Sequence, residues 1–208
     1  MSKKNIYKII GGFFVFQLFI VIYTLSLPKE YLSSATLLAP ESESPGVVLN
    51  TPYGQLQNPE LSQNALSSEA IIALLESRRL AKKVINRFNL FSIYNTQNEE
   101  VALKKYYKHL EASLDPEKGI ITVSFISTKP TLSRDIVLYM LNQLDTLNQT
   151  LKLTSRKPLA KIIDLPDVPK RKYKPHLSHN IIIGTFAYFS IVILLFALWD
   201  VLEGLKIE

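Results

Sequence analysis

The side chains that could do chemistry in this sequence crowd toward its C-terminal third. Asp164 and Asp167 flank Pro166, His176 and His179 stand three residues apart, and Lys170, Arg171, Lys172 and Lys174 lie between the two pairs. Two carboxylates suit general acid–base work when burial or a neighbour splits their pKa values. Asp164 and Asp167 instead sit beside many cations on a proline-rich stretch, so neither is assigned a catalytic role. Histidines at i and i+3 fit one helical face, but no carboxylate accompanies His176 and His179 as a further ligand. They read as an interfacial pair, and no metal or cofactor is expected. His109 falls in a charged helix. The phosphate loop GxxxxGK[ST], the GxSxG elbow, HExxH and GxGxxG have no match. The 208 residues include no cysteine, which removes disulfides, thiolate metal sites and cysteine nucleophiles. Asn148-Gln149-Thr150 matches a glycosylation acceptor but falls in mid-helix.

What remains is charge and its placement. From Lys152 to Lys174 eight basic residues face only Asp164 and Asp167, a net of +6 that equals the charge of the whole chain. A band so concentrated argues against nucleic-acid binding and for a single anionic contact near that segment. Pro166, Pro169 and Pro175 run through it and favour an extended, semi-rigid strut.

Two apolar runs bracket the chain. Ile9–Leu27 contains Gln17 as its one strongly polar side chain, and Ile181–Trp199 holds nothing more polar than Thr185, Tyr188 and Ser190. About 19 residues at ~1.5 Å each give ~28 Å, close to the ~30 Å hydrocarbon core of a bilayer. Neither run has the polar stripe of a soluble core helix. Lys3, Lys4 and Lys8 give the first run the basic start of a signal peptide. Its length exceeds a signal core, however, and Thr24-Leu25-Ser26 is a poor cleavage site, so an uncleaved anchor is expected. Two spans put both termini on one side. The three lysines before the first span place that side in the cytoplasm; the four cations before the second span argue the reverse, and the first span takes precedence. Gly11, Gly12 and Gly184 are candidates for close helix packing, although neither span contains GxxxG.

The expected division is a cytoplasmic N-terminus (1–8), a span (9–27), an extracytoplasmic α+β domain (28–165), the strut (166–180), a second span (181–199) and a cytoplasmic tail (200–208). Within the domain, Tyr31–Ala39 predicts a strand and Pro40–Pro59 a loop. Ser67 or Ser68 opens a helix to about Phe88, and Glu99–Ser113 predicts a second, ended by Asp115-Pro116. Gly119–Ser127 is a β-branched strand, Thr131–Leu151 an amphipathic helix whose stripe reads as core, and Leu159–Leu165 a last strand. The fold class is α+β: a small mixed sheet covered by helices, with a transmembrane helix at each end. Pairing of the first and last strands would seat the domain on the membrane.

In order, these features resemble the polysaccharide co-polymerases, the Wzz-like chain-length determinants. The resemblance rests on the basic start, the span and Tyr31–Leu38; on the helix Leu75-Glu-Ser-Arg-Arg-Leu-Ala-Lys-Lys-Val-Ile85 with Phe88-Asn-Leu90; on Ile121–Phe125 leading through Lys129-Pro130 into a long helix; and on the proline strut. It implies a non-enzymatic inner-membrane protein, periplasmic between its spans and forming homo-oligomeric rings. Such a protein sets the length of O-antigen, capsule or exopolysaccharide built by a separate polymerase from undecaprenyl-pyrophosphate-linked units. The long helical arm of the O-antigen type is missing, because only Leu151–Pro158 follows the long helix. Short relatives in capsule systems activate a cytoplasmic tyrosine kinase, which makes a kinase the alternative partner. The basic strut residues are candidates for contact with anionic lipid or the carrier pyrophosphate. A tethered envelope hydrolase using Asp164 or Asp167 is the enzymatic alternative.

Overall fold

The computed structural model describes residues 3–38, 49–51, 54–56, 66–154 and 158–204. It divides into two compact units, a body of residues 30–172 and a helical unit of residues 1–29 with 173–208.

In the body, β1 (Tyr31–Leu38) alternates as a strand with one buried face must: Ser33, Ala35 and Leu37 are buried, while Ser34 on the other face is exposed. It pairs antiparallel with β5 (Ile120–Ser127), Ala35 opposite Val123. β5 pairs in turn with β4 (Leu110–Asp115), and β6 (Lys161–Asp164) joins the free side of β1, giving the antiparallel order β4-β5-β1-β6. First and last strands of this sheet are therefore partners.

Helices cover the face that carries Ala35, Leu37, Ile121, Val123 and Phe125. The longest, α6 (Pro130–Leu151), opens with proline at its first position, where the missing N–H costs nothing, and buries Ile136, Met140, Leu144 and Leu147 along one stripe. It ends at Lys152 in the left-handed conformation, with Asn148 Oδ1 accepting from Thr154 N at 3.0 Å. Asn148 is fully buried, which closes the glycosylation reading of that residue.

Three expectations change. The helix expected to run unbroken to Phe88 is two, α2 (Ser68–Leu75) and α3 (Arg78–Arg87). Ser77 is extended, and its Oγ accepts from Leu80 N at 3.3 Å, so a cap sits where a continuous helix was expected. The apolar stripe also skips from Leu75 to Leu80, a step of five that matches neither three nor four. A short α4 (Leu90–Ile93) follows. The next helix, α5 (Glu99–His109), stops before Ser113, because Leu110–Asp115 is strand β4. There Glu111 and Ser113 are exposed and Leu110, Ala112 and Leu114 partly covered, a period of two that pairing with β5 rewards. Asp115 opens the hairpin turn, its Oδ1 accepting from Glu117 N and Lys118 N, and Gly119 at φ +65° supplies the left-handed residue that closes it. Finally, the expected loop 40–59 contains a two-stranded sheet of β2 (Leu49–Thr51) and β3 (Gly54–Leu56); its other residues lie outside the described ones.

Among the described residues Tyr106 on α5 is the largest fully buried side chain, its hydroxyl donating to Met140 Sδ at 3.6 Å, and burial pushes the phenol pKa up. On the surface between α3 and α5, Glu99 accepts from Lys82 at 2.7 Å and from Arg78 at 3.3 Å, and Arg78 also pairs with Glu100. The Lys82 bond, then the Arg78 bond, holds the Glu99 carboxyl below its ordinary range. A lowered carboxyl pKa stabilises the fold above the unfolded-state value of about 4.3 and stops doing so as pH falls through the folded one. Glu99→Gln should therefore lower the thermal midpoint slightly at pH 7 and leave it unchanged near pH 2. An equal loss at both values would show that the pair contributes no charge-dependent stability.

Candidate functional site

The helical unit consists of α1 (Lys3–Ser26) and α7 (Leu177–Gly204). Both hold stretches long and apolar enough to cross a membrane, Ile9–Ser26 and Leu177–Leu198. In each, only 6% of the stretch is buried, whereas a core helix of a soluble protein would be mostly covered. Phe14, Leu18, Phe19, Phe186 and Ile193 are among the side chains left exposed.

The covered positions define a seam. On α1 they recur at steps of three and four, including Gly12, Phe16, Gln17, Ile20 and Thr24; on α7 they include Asn180, Ile181, Gly184, Thr185 and Tyr188. The helices run antiparallel, since early residues of one meet late residues of the other. Among the described residues, three polar contacts cross the seam. Tyr188 donates to Ile9 O at 2.6 Å, Gln17 Nε2 to Thr185 Oγ1 at 2.7 Å, and Asn180 Nδ2 to Thr24 Oγ1 at 3.1 Å. Thr185 passes its own hydrogen back to Ile181 O at 2.9 Å. In hydrocarbon an unpaired polar group costs several kcal/mol, so each contact favours the paired state and fixes its register. The exception is Gln17 Oε1, which is buried and has no hydrogen-bond partner among the described residues. Phe13 fills the seam beside Tyr188 and Phe189, at ring separations of 5.4 and 5.8 Å.

The three glycines separate. A Cβ on Gly12 would stand 2.8 Å from the Tyr188 hydroxyl, and one on Gly184 would run into Ile20 Cδ1. Gly11 has nothing within 4 Å and lies on the outer side. Sequence reasoning named Gln17, Thr185 and Tyr188 only as polar exceptions. Their recurrence on the same helix faces as Gly12 and Gly184 was the available sign of a seam.

In the body, β6 and the chain after it bound a groove of about 580 Å³ lined in part by Leu32, Ser34, Ile163, Asp164, Asp167 and Pro169. Thr36 Oγ1 donates to Asp164 Oδ2 at 2.6 Å and Ser33 Oγ to Asp167 O at 2.8 Å, pinning this segment to β1. Both aspartates are exposed, without the burial that an acid–base couple needs. Of the strut prolines, Pro166 is buried and Pro169 and Pro175 are half-buried. The strut is shorter than expected, because α7 begins at Leu177. Lys170, Arg171 and Lys172 belong to the body and Lys174 to the helical unit; all four are exposed, and among the described residues none forms an ion pair. His176 packs edge-on against Tyr173, 5.9 Å between centroids, and among the described residues no group of three or more His, Asp or Glu is placed to hold a metal. α7 runs on to Gly204, so most of the expected tail from Asp200 is helical; residues 205–208 lie outside the described ones.

The two apolar stretches are long enough to anchor the chain in a membrane. The family model Wzz, chain length determinant protein, matches residues 3–88, a stretch that includes α1, β1, α2 and α3. The match covers less than half of the chain. Among solved structures it is similar to one described as a full-length bacterial polysaccharide co-polymerase, at 12% identity and a TM-score of 0.48, with 95% of this chain and 96% of that one covered. No curated protein matches it.

Proposed function

We propose that this protein is a non-catalytic, two-pass regulator of polysaccharide chain length in a bacterial inner membrane. In this reading the body lies on the periplasmic side, and several copies assemble around or beside the polymerase of an O-antigen, capsule or exopolysaccharide. The observation that carries it is the match of residues 3–88 to the chain length determinant model. The antiparallel helix pair supports the topology, since it returns the chain to the side on which it started.

The route of action follows from the anchoring. β1 leaves α1 after four intervening residues, and β6, its sheet partner, leads through the strut to α7. Force or displacement in the body thus reaches both spans through two adjacent strands. Lys170, Arg171, Lys172 and Lys174 would hold anionic headgroups or the pyrophosphate of an undecaprenyl-linked glycan, each cation being worth about 1 kcal/mol near an anionic surface. Converting all four to glutamine should weaken binding of the detergent-purified protein to anionic vesicles at least tenfold and shift polymer length. Unchanged vesicle binding and unchanged length would remove the strut from the mechanism.

A second reading, an activator of a cytoplasmic tyrosine kinase, draws on the continuation of α7 through Asp200 and Glu203 to Gly204. Deleting residues 200–208 separates the two. Loss of tyrosine phosphorylation favours the activator, and altered polymer length with phosphorylation intact favours the length regulator.

A further inference from the structure

The two outer strands of the main sheet are β4 and β6, and among the described residues each has one partner strand. An unpaired edge offers a row of backbone donors and acceptors to another strand. β6 is exposed along its whole length, with Ile162 41% and Ile163 49% accessible and Leu165 beyond it 61%. A register shift in the β1–β6 pairing leaves Ile163 opposite no residue. Apolar side chains on a free edge mark a pairing surface more than a guarded one.

The opposite edge is complementary in charge. β4 and its turn carry Glu111, Asp115 and Glu117 against Lys118, whereas the β6 side carries Lys161, Lys170, Arg171 and Lys172 against Asp164 and Asp167. The strand count adds a geometric argument. Four antiparallel strands leave β4 and β6 running in opposite directions, so β4 of a second copy laid beside β6 continues the alternation when both copies have the same orientation. β1 starts and β6 ends at one end of the sheet, so the connections to α1 and α7 leave from that end in every copy. Molecules anchored in one membrane need this shared orientation, which an antiparallel two-fold pairing of two β6 edges would not give.

We infer that the protein self-associates head to tail by sheet extension, β6 of one copy pairing with β4 of the next. The contact is heterologous, so it repeats until a ring closes. This rests on the reading of an oligomeric, membrane-anchored regulator.

The absence of cysteine from these 208 residues makes the test direct. Ser113→Cys combined with Lys161→Cys or with Asp164→Cys places thiols on one face of both edges. Oxidation in native membranes should give a ladder of covalent dimers, trimers and larger species in at least one double variant and none in the single variants. Adding Ile163→Lys should reduce the ladder at least tenfold with the melting midpoint unchanged. No ladder in either double variant, cross-linking only to a different protein, or a ladder indifferent to Ile163→Lys overturns the contact. The polymer size profile of the same cells separates the two readings. Absent ladder with length control retained removes only the sheet contact, and a ladder without any effect on length removes the regulator.

Discussion

Phe125→Ala is expected to lower the thermal midpoint of the protein by 10 °C or more, roughly, the largest single effect in the body. Phe125 is 2% exposed at the centre of β5, with Tyr106 at 5.5 Å and His109 at 6.3 Å between ring centroids, so both strand and helices rest on it. Truncating a buried phenylalanine costs about 3–5 kcal/mol, through lost transfer energy and the cavity left behind. Whole domains are stable by only about 5–15 kcal/mol, so much of the margin goes. Because β5 also joins β4 to β1, loosening it separates the two sheet edges that the proposed assembly uses. A melt by circular dichroism checks this. A midpoint within a degree or two of the parent would mean that the site collapses around the gap, or that Phe125 is not the core residue described.

Gly184→Leu is expected to separate the helix pair and abolish length control. Gly184 is buried, and a side chain there meets Ile20 and approaches Gln17 Oε1, for which even a Cβ would stand at 3.7 Å. Leucine must push α7 away from α1, breaking the Gln17–Thr185 and Asn180–Thr24 contacts at 2.7 and 3.1 Å. Gly11→Leu is the matched control, because Gly11 faces open space. Cysteines at Phe13 and Phe189 report the seam; their cross-linking should fall at least tenfold with Gly184→Leu and stay unchanged with Gly11→Leu. Equal behaviour of the two glycine variants would contradict the assigned packing.

The legible parts of the sequence were those governed by one strong local pattern. The two apolar runs, the β-branched run of β5 and the apolar stripe of α6 have no competing periodicity, and each element lies where its residues put it. Errors arose where two patterns fit the same residues. Leu110 and Leu114 are four apart, as a helix would want, and also alternate with Glu111 and Ser113, as a strand would; only the partner strand β5, distant in sequence, decides. At Ser77 a single capping side chain interrupts a segment whose charges look continuous. The site was half legible for a similar reason. Gly12 and Gly184 could be picked out as small, but their selection over Gly11 depends on the phase of one helix against the other. The basic residues were plain from composition, because exposed charge needs no partner within the chain.

The central claim, that this protein governs how long a polysaccharide grows, is tested most directly by the size profile of surface polysaccharide from cells lacking the gene and from the same cells carrying it again. The expected result is a broad, unregulated distribution on deletion and a narrowed modal length on restoration, with total sugar incorporation preserved. A profile identical in both strains would contradict it.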